Sequence, residues 1–174
     1  GKSFGALSLT FNPKYRKAFS PLVEKVSFAS FGDMDSLRSV IDEDTACIIL
    51  EPIQGESGII VAPDGFLQEV RNLCNEKGIL LIFDEIQAGL GRTGRLWAGE
   101  HWNTTPDILC LAKGIAGGVP MGATLVRPDI LAAISKGEHS STFGGNPISC
   151  AAGIAALTSI TEDGLIENSK KMGE

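Results

Sequence analysis

Four short runs of apolar residues recur along the chain, and within each run the apolar character is nearly continuous. They predict four strands, in the segments "ACIILEP" (46–52), "GILLIFDE" (78–85), "DILCLA" (107–112) and "GATLVR" (122–127). Runs of this length and continuity are typical of strands that are buried on both faces, as in a parallel sheet covered by helices.

Segments with helical spacing alternate with these runs. The clearest is 63–78, in which apolar side chains share one face, Pro63 and Asp64 open the helix and Gly78 ends it. Further helices are predicted at 34–43, 128–137 and 146–161. The last of these is rich in small residues, so we expect it to be buried. The alternation predicts an α/β fold with a mostly parallel sheet flanked by helices, and ligands bind such sheets at the carboxyl ends of the strands.

Composition narrows the classes of partner. The 174 residues are 43% apolar and 21% charged, as in soluble globular proteins, and suffice for one domain. The net charge of −6 argues against nucleic acid or an anionic membrane as a partner. We see neither an apolar run of the roughly 18 residues that a membrane span needs nor a signal peptide.

Cysteine and histidine indicate a reducing compartment and no metal site. The four cysteines lie in apolar stretches without C-x-x-C spacing, which predicts buried free thiols and a cytoplasmic protein. An organelle matrix stays open if a targeting peptide precedes residue 1. His101 and His139 stand alone, so no metal ion is expected.

Two charged residues stand where predicted strands end. Asp84 is either a solvated carboxylate, a helix cap, or the partner of a cation such as a metal ion or a protonated ring nitrogen. Lys113 could be a surface lysine, but glycines follow it that would admit a flat ligand, and a partly desolvated lysine is a nucleophile. A lysine with an aspartate for a pyridinium nitrogen is the pattern of pyridoxal phosphate enzymes. A P-loop NTPase is the alternative, because residues 1–3 read "GKS", but the upstream glycines of that motif are not in the sequence.

Five segments together resemble the class III, ornithine-type aminotransferases of fold type I. They are "LIFDEIQAGLGRTGR" (81–95), "PDILCLAKGIAGGVPMGA" (106–123), "HSSTFGGNP" (139–147), "EPIQGESG" (51–58) and "GALSLTFNPKYRKAFSPL" (5–22), in the family's order and spacing. The resemblance implies that residues 1–174 are most of the pyridoxal phosphate-binding large domain of a longer chain. An N-terminal segment and a C-terminal small domain of the family would then lie outside it.

The resemblance also implies roles for single residues. Lys113 would bind the cofactor covalently and carry the proton in the reaction, Asp84 would keep the pyridine nitrogen protonated, and Gln87 would donate to the phenolic oxygen. Ser141 and Thr142 would reach the phosphate of the neighbouring subunit's cofactor, which implies a homodimer with shared active sites.

The resemblance further gives Glu56 the part of a gate, paired with a downstream arginine until the 2-oxo acid needs that arginine. By themselves, Gln87 and Glu56 could equally be solvated loop residues, and Ser141 and Thr142 a turn before a helix cap. Glu51 is interpreted either as structural or as a residue that supports the side chains of the site without itself touching the cofactor.

The implied reaction moves the ω-amino group of N-acetylornithine, or of a similar ω-amino acid, to 2-oxoglutarate. Ornithine, 4-aminobutyrate and succinylornithine are alternative amino donors. A catalytically incompetent fragment is a further alternative for the 174 residues taken alone.

Overall fold

The first 44 residues form a unit of short helices and loops. The computed structural model describes residues 2–174, and the chain divides into two compact units between Asp44 and Thr45. The helices of the first unit are α1 (Phe4–Ser8), α2 (Pro13–Arg16) and α3 (Met34–Val40), and a 3-10 turn follows α2 at Lys17–Phe19. The side chain of Asp33 caps α3 by accepting the N–H of Ser36 at 2.9 Å. The expected helix at 34–43 is therefore confirmed, three residues shorter than predicted.

The second unit contains a four-stranded sheet and a small hairpin. Its strands are β1 (Cys47–Leu50), β2 (Ile53–Gln54), β3 (Ile60–Val61), β4 (Leu80–Asp84), β5 (Ile108–Leu111) and β6 (Ala123–Val126). The sheet order is β1-β4-β5-β6, with β1, β4 and β5 parallel and β6 antiparallel to β5. The four predicted strands and the mostly parallel sheet are confirmed. The hairpin of β2 and β3 is an addition to the predicted elements, because no strand was predicted for those residues.

The register of the parallel strands sets the positions of the polar residues that follow them. Leu50 lies opposite Phe83, and Asp84 lies opposite Cys110. Glu51, Asp84 and Lys113 therefore all lie at the carboxyl edge of the sheet.

Helix α4 (Phe66–Lys77) covers one face of β4. Its buried side chains are Phe66, Leu67, Val70, Leu73 and Cys74. Gly78 ends it in the left-handed conformation, with φ +69° and its N–H donated to the carbonyl of Cys74, as the sequence predicted. The predicted start at Pro63 is wrong, because Gly65, with a left-handed φ of +80°, is the residue that precedes the helix.

Burial on both faces of the strands is not observed within residues 2–174. Along β4, Leu81 and Phe83 are fully buried, whereas Leu80 and Ile82 are only partly buried. The continuous apolar run thus has one face under α4 and a second face that is partly open.

Three more helices follow the sheet: α5 (Pro128–Leu131), α6 (Pro147–Glu162) and α7 (Leu165–Gly173). Helix α5 covers only the first four residues of the predicted 128–137. Helix α6 packs along a 3-10 turn at Lys113–Ala116, where Gly153 comes so close to Met121 that a Cβ would lie 3.0 Å from its sulfur. The expectation that this helix is buried is wrong, because it touches its neighbours through one stripe and leaves Ile148 and Ile154 exposed.

The cysteines are free, as predicted, but they are not all buried. Cys74 is fully buried, whereas Cys47, the first residue of β1, is exposed. Among the helices of residues 2–174, none is both long enough and apolar enough to cross a membrane.

Candidate active site

Lys113 lies where the chain leaves β5 and enters the turn Lys113–Ala116. Its φ is +48°, a left-handed value that is uncommon outside glycine. Ile115 and Ala116 hold the turn in place, because both are buried in one apolar cluster with Leu111. The core thus fixes an unusual backbone conformation at this lysine, which is typical of functional positions.

The side chain of Lys113 meets that of Gln87. The Nζ atom of Lys113 donates a hydrogen bond to Oε1 of Gln87, 26 positions earlier in the chain. Gln87 lies three residues beyond the end of β4, so the contact joins the ends of two adjacent strands. The structure therefore brings together two of the residues that the resemblance assigned to one site.

Asp84 and Glu51 add two carboxylates at the same edge. Oδ1 of Asp84 accepts the N–H of Ile86 at 3.0 Å, and Oε2 of Glu51 accepts the N–H of Gly55 at 3.0 Å. Burial raises the pKa of Glu51, the charge of Asp84 adds to this, and the Gly55 N–H and the charge of Lys113 act in the opposite direction. Glu51 thus lies within electrostatic reach of both Asp84 and Lys113.

The turn after β2 presses directly on Gln87. A Cβ added at Gly55 would lie 2.3 Å from Nε2 of Gln87, so no larger residue fits without displacing the amide. The sequence reasoning did not find this contact. Its only signal was a glycine between Gln54 and Glu56.

Glu85, next to Asp84, has a structural part. Its side chain is buried, and its carboxylate accepts the N–H groups of Ala98 and Gly99 at 2.6 and 2.8 Å. Burial raises its pKa, and the two N–H groups limit the rise. These bonds fasten the 3-10 turn Ala98–Trp102 to the end of β4 and so order the segment that carries Gln87.

The other predicted site residues lie apart from this cluster or at its margin. Ser141 and Thr142 are exposed in the segment before α6, where the carbonyl of Ser141 accepts the N–H of Gly144 at 3.2 Å. Asn146 then caps α6 by accepting the N–H of Ser149 at 2.9 Å. Locally this is a turn before a helix cap. Glu56 is exposed in the hairpin, and its charge acts on Glu51.

The donor set at this edge is one ammonium group, two carboxylates and one amide. Within residues 2–174, no three His, Cys, Asp or Glu side chains come together in a way that could hold a metal ion. These groups suit an organic ligand that has a carbonyl carbon, with which the amine can react, and a positive charge, which a carboxylate can bind.

Comparison with known proteins decides the family. The model of the aminotransferase class-III family matches residues 1–174. The chain belongs to the class III aminotransferases. Membership in this family gives no support to the alternative of a P-loop NTPase. Of the "GKS" sequence on which that alternative depended, the structure describes Lys2 and Ser3, and Gly1 lies outside the described residues.

Individual relatives of this class III chain carry two substrate names. Acetylornithine aminotransferase of Methanopyrus kandleri is 49% identical over 100% of this chain and 45% of its own length. Ornithine aminotransferase 1 of Staphylococcus saprophyticus is 47% identical over 100% of this chain and 44% of its own length. The class III chain thus spans less than half of these relatives.

A solved structure supports the fold and the cofactor of the family. Ornithine aminotransferase from Toxoplasma gondii, with pyridoxal phosphate at partial occupancy in its active site, matches with a TM-score of 0.94. The two are 38% identical over 99% of this chain and 41% of that one. The fold type I architecture is therefore confirmed, and pyridoxal phosphate is the cofactor of the family.

Proposed function

We propose that these residues form the cofactor-anchoring part of an aminotransferase that moves the ω-amino group of N-acetylornithine, or of a similar ω-amino acid, to 2-oxoglutarate. Such an activity belongs to arginine biosynthesis. The observation that carries the proposal is the contact of Lys113 with Gln87 at the sheet edge that also holds Asp84. Family membership supports the reaction class.

The residues fit pyridoxal phosphate, which when bound supplies an aldehyde for an amine and a ring that accepts electrons. Lys113 offers the amine. Asp84 offers a carboxylate for a protonated ring nitrogen. Gln87 already accepts from Lys113 through Oε1, so its Nε2 is the group that would donate to a phenolic oxygen.

Each of these side chains has a defined task in the proposed reaction. Nζ of Lys113 takes the proton from the substrate and returns it, as a general base and then a general acid. Asp84 would bind the ring nitrogen, and the N–H of Ile86 holds its carboxylate in place through Oδ1. Gln87 orients the lysine through their hydrogen bond.

The amino donor is proposed from the names of the relatives. N-acetylornithine is our first choice, because that substrate appears in the name of the Methanopyrus relative. Ornithine is the second, since it appears in the name of the Staphylococcus relative at nearly the same identity. 4-Aminobutyrate and succinylornithine follow.

We also propose a cytoplasmic homodimer. The exposed positions of Ser141 and Thr142 are compatible with contact to the cofactor phosphate of a second subunit. The four free cysteines support a reducing compartment.

The test uses the full-length protein that the gene encodes. The protein is incubated with pyridoxal phosphate and reduced with borohydride, and the labelled peptides are identified by mass mapping. We expect one pyridoxyl adduct, on Lys113. Scattered labelling of surface lysines would contradict the proposal. Turnover with 2-oxoglutarate and each of the four amino donors then ranks the substrates, and the same labelling of residues 1–174 alone tests whether this part is competent.

A further inference from the structure

Glu51 has a position that none of the tasks above uses. It follows the last residue of β1, and the register of β1 against β4 places it level with Asp84. Its Oε2 accepts the backbone N–H of Gly55 at 3.0 Å. Glu51 therefore ties the edge of the sheet to the turn between β2 and β3.

Gly55 is held on both sides of its peptide group. Its N–H goes to Glu51, and its carbonyl accepts the N–H groups of Gly58 and Ile59 at 3.2 and 3.3 Å. Its φ is not left-handed, unlike the φ of +108° at Gly58, so its backbone conformation does not demand glycine. Space demands it, because a Cβ would lie 2.3 Å from Nε2 and 2.5 Å from Cδ of Gln87.

These contacts form one continuous path to the reactive lysine. Glu51 fixes the N–H of Gly55, the bare Cα of Gly55 backs the amide of Gln87, and Oε1 of Gln87 accepts from Lys113. An amide that is backed on one side and bonded on the other has a fixed rotamer. Such support is what a functional side chain needs to keep its geometry.

We propose that Glu51 and Gly55 are positioning residues that act through Gln87. They hold the Gln87 amide where it accepts the hydrogen bond from Lys113 and faces the cofactor's phenolic oxygen. This inference rests on the proposed function for its last link, to the cofactor. The links from Glu51 to Gln87 are independent of that function.

The test is a set of double-mutant cycles in the protein as its gene encodes it, with the dissociation constant of pyridoxal phosphate from the cofactor-free protein as the readout. We expect E51A, G55A and Q87A each to weaken binding roughly tenfold, the loss of one hydrogen bond to a charged group. In the Q87A background, E51A and G55A should add less than about twofold, because residues that act through one partner are not additive.

The conservative variant and a matched glycine separate positioning from general stability. E51Q keeps an oxygen that accepts the Gly55 N–H, so it should bind within about threefold of the unchanged protein. G5A is the control, because a Cβ at Gly5 meets no atom within 4 Å. The inference would be overturned if the effects of E51A and Q87A on cofactor binding were fully additive. It would also be overturned if E51Q bound pyridoxal phosphate as weakly as E51A.

A second readout needs no cofactor. Hydrogen exchange of the Gly55 N–H in the cofactor-free protein should speed up at least about tenfold in E51A and stay slow in E51Q, because only the alanine removes the acceptor. Unchanged exchange in E51A would also overturn the inference. If Lys113 is not labelled by borohydride while the exchange behaves as expected, the proposed function fails and the link from Glu51 to Gly55 stands.

Discussion

Lys113 and Gln87 lie 26 positions apart, yet the Nζ of one donates to the Oε1 of the other across the ends of β5 and β4. The two strands are parallel and adjacent, so residues that follow them must meet at one edge. The side chains that the proposed reaction needs are therefore brought together by the sheet itself.

Replacing Lys113 tests that reaction most directly. We expect K113A to abolish transamination, because it removes the amine that the proposed reaction needs, while pyridoxal phosphate still binds without a covalent bond. Absorbance of the dialysed protein and its mass after borohydride reduction check both points. K171A, at an exposed lysine of α7, is the control and should keep full turnover. Full turnover in K113A would refute the assignment.

Asp84 should matter through its charge rather than its shape. In D84N the side-chain oxygen can still accept the N–H of Ile86, so the melting temperature should hardly change. Turnover should fall about ten- to a hundredfold, since a hydrogen bond to a charged group is worth about 1.5–3 kcal/mol. D64N, at an exposed aspartate, serves as the control. Equal turnover in D84N and the unchanged protein would mean that Asp84 does not touch the ring.

Asp107 should control stability and not chemistry. Its buried carboxylate binds Arg71 at 2.8 Å and Arg127 at 2.6 Å, and it also accepts the N–H of Leu81. We expect D107N to lower the free energy of unfolding by about 3 kcal/mol, because it leaves the partly buried guanidinium of Arg71 without its counter-charge. Urea unfolding measures this. D129N, which removes the exposed partner of Arg127, should cost much less.

Asp107 should also determine part of the loss of stability at acidic pH. Burial alone would raise the pKa of Asp107, but the Leu81 N–H and the Arg71 guanidinium outweigh it and hold the pKa below its usual value. A lowered carboxyl pKa stabilises the fold above the unfolded value of about 3.9, and this is lost as pH falls through the folded value. Unfolding at pH 2 to 6 should show this loss in the unchanged protein and not in D107N.

Glu85 should make the free energy of unfolding change with pH in the opposite direction. Burial raises its pKa, so its contribution to stability is complete below the unfolded value of about 4.3 and declines as pH rises through the folded value. We expect E85Q to lack this decline, because an amide does not titrate in this pH range. Denaturant unfolding from pH 4 to 8 measures it, with E76Q as the exposed control. Parallel profiles for E85Q and the unchanged protein would contradict it.

Cys74 should be the least reactive thiol. Its residue is fully buried, and burial raises its pKa to about 11. In timed labelling with a disulfide reagent at pH 8, Cys74 should react last and only on unfolding, whereas C74A should remove that slow phase alone. Labelling of Cys74 as fast as the exposed Cys47 would show that α4 opens readily.

Among the strands, the sequence predicted those of four or five residues and left out the two that have only two residues. The strands at 46–52 and 78–85 and the helix at 63–78 were recognisable because each buries a repeated set of side chains. The hairpin of β2 and β3 has two residues on each strand, too few to show any period.

The residues of β6 do not indicate whether the strand runs parallel or antiparallel to β5. A strand of "ATLV" reads the same in either direction, and only the link of 11 residues between β5 and β6 hinted at an antiparallel return, since a parallel crossover needs a dozen or more. In the site, Asp84 and Lys113 stood out as charges at strand ends. The fit of Gly55 against Gln87 did not, because it depends on a contact between distant loops.

The ion network of Asp107 and the groups around Lys113 lie at opposite ends of β5. The four residues of that strand, at about 3.3 Å each, separate them by about 13 Å. Substitutions that far apart, without a shared partner, combine additively in most proteins. The amino edge of the sheet is thus a place where an engineer could adjust heat tolerance, and where natural drift could do the same, while the chemistry at the carboxyl edge stays as it is.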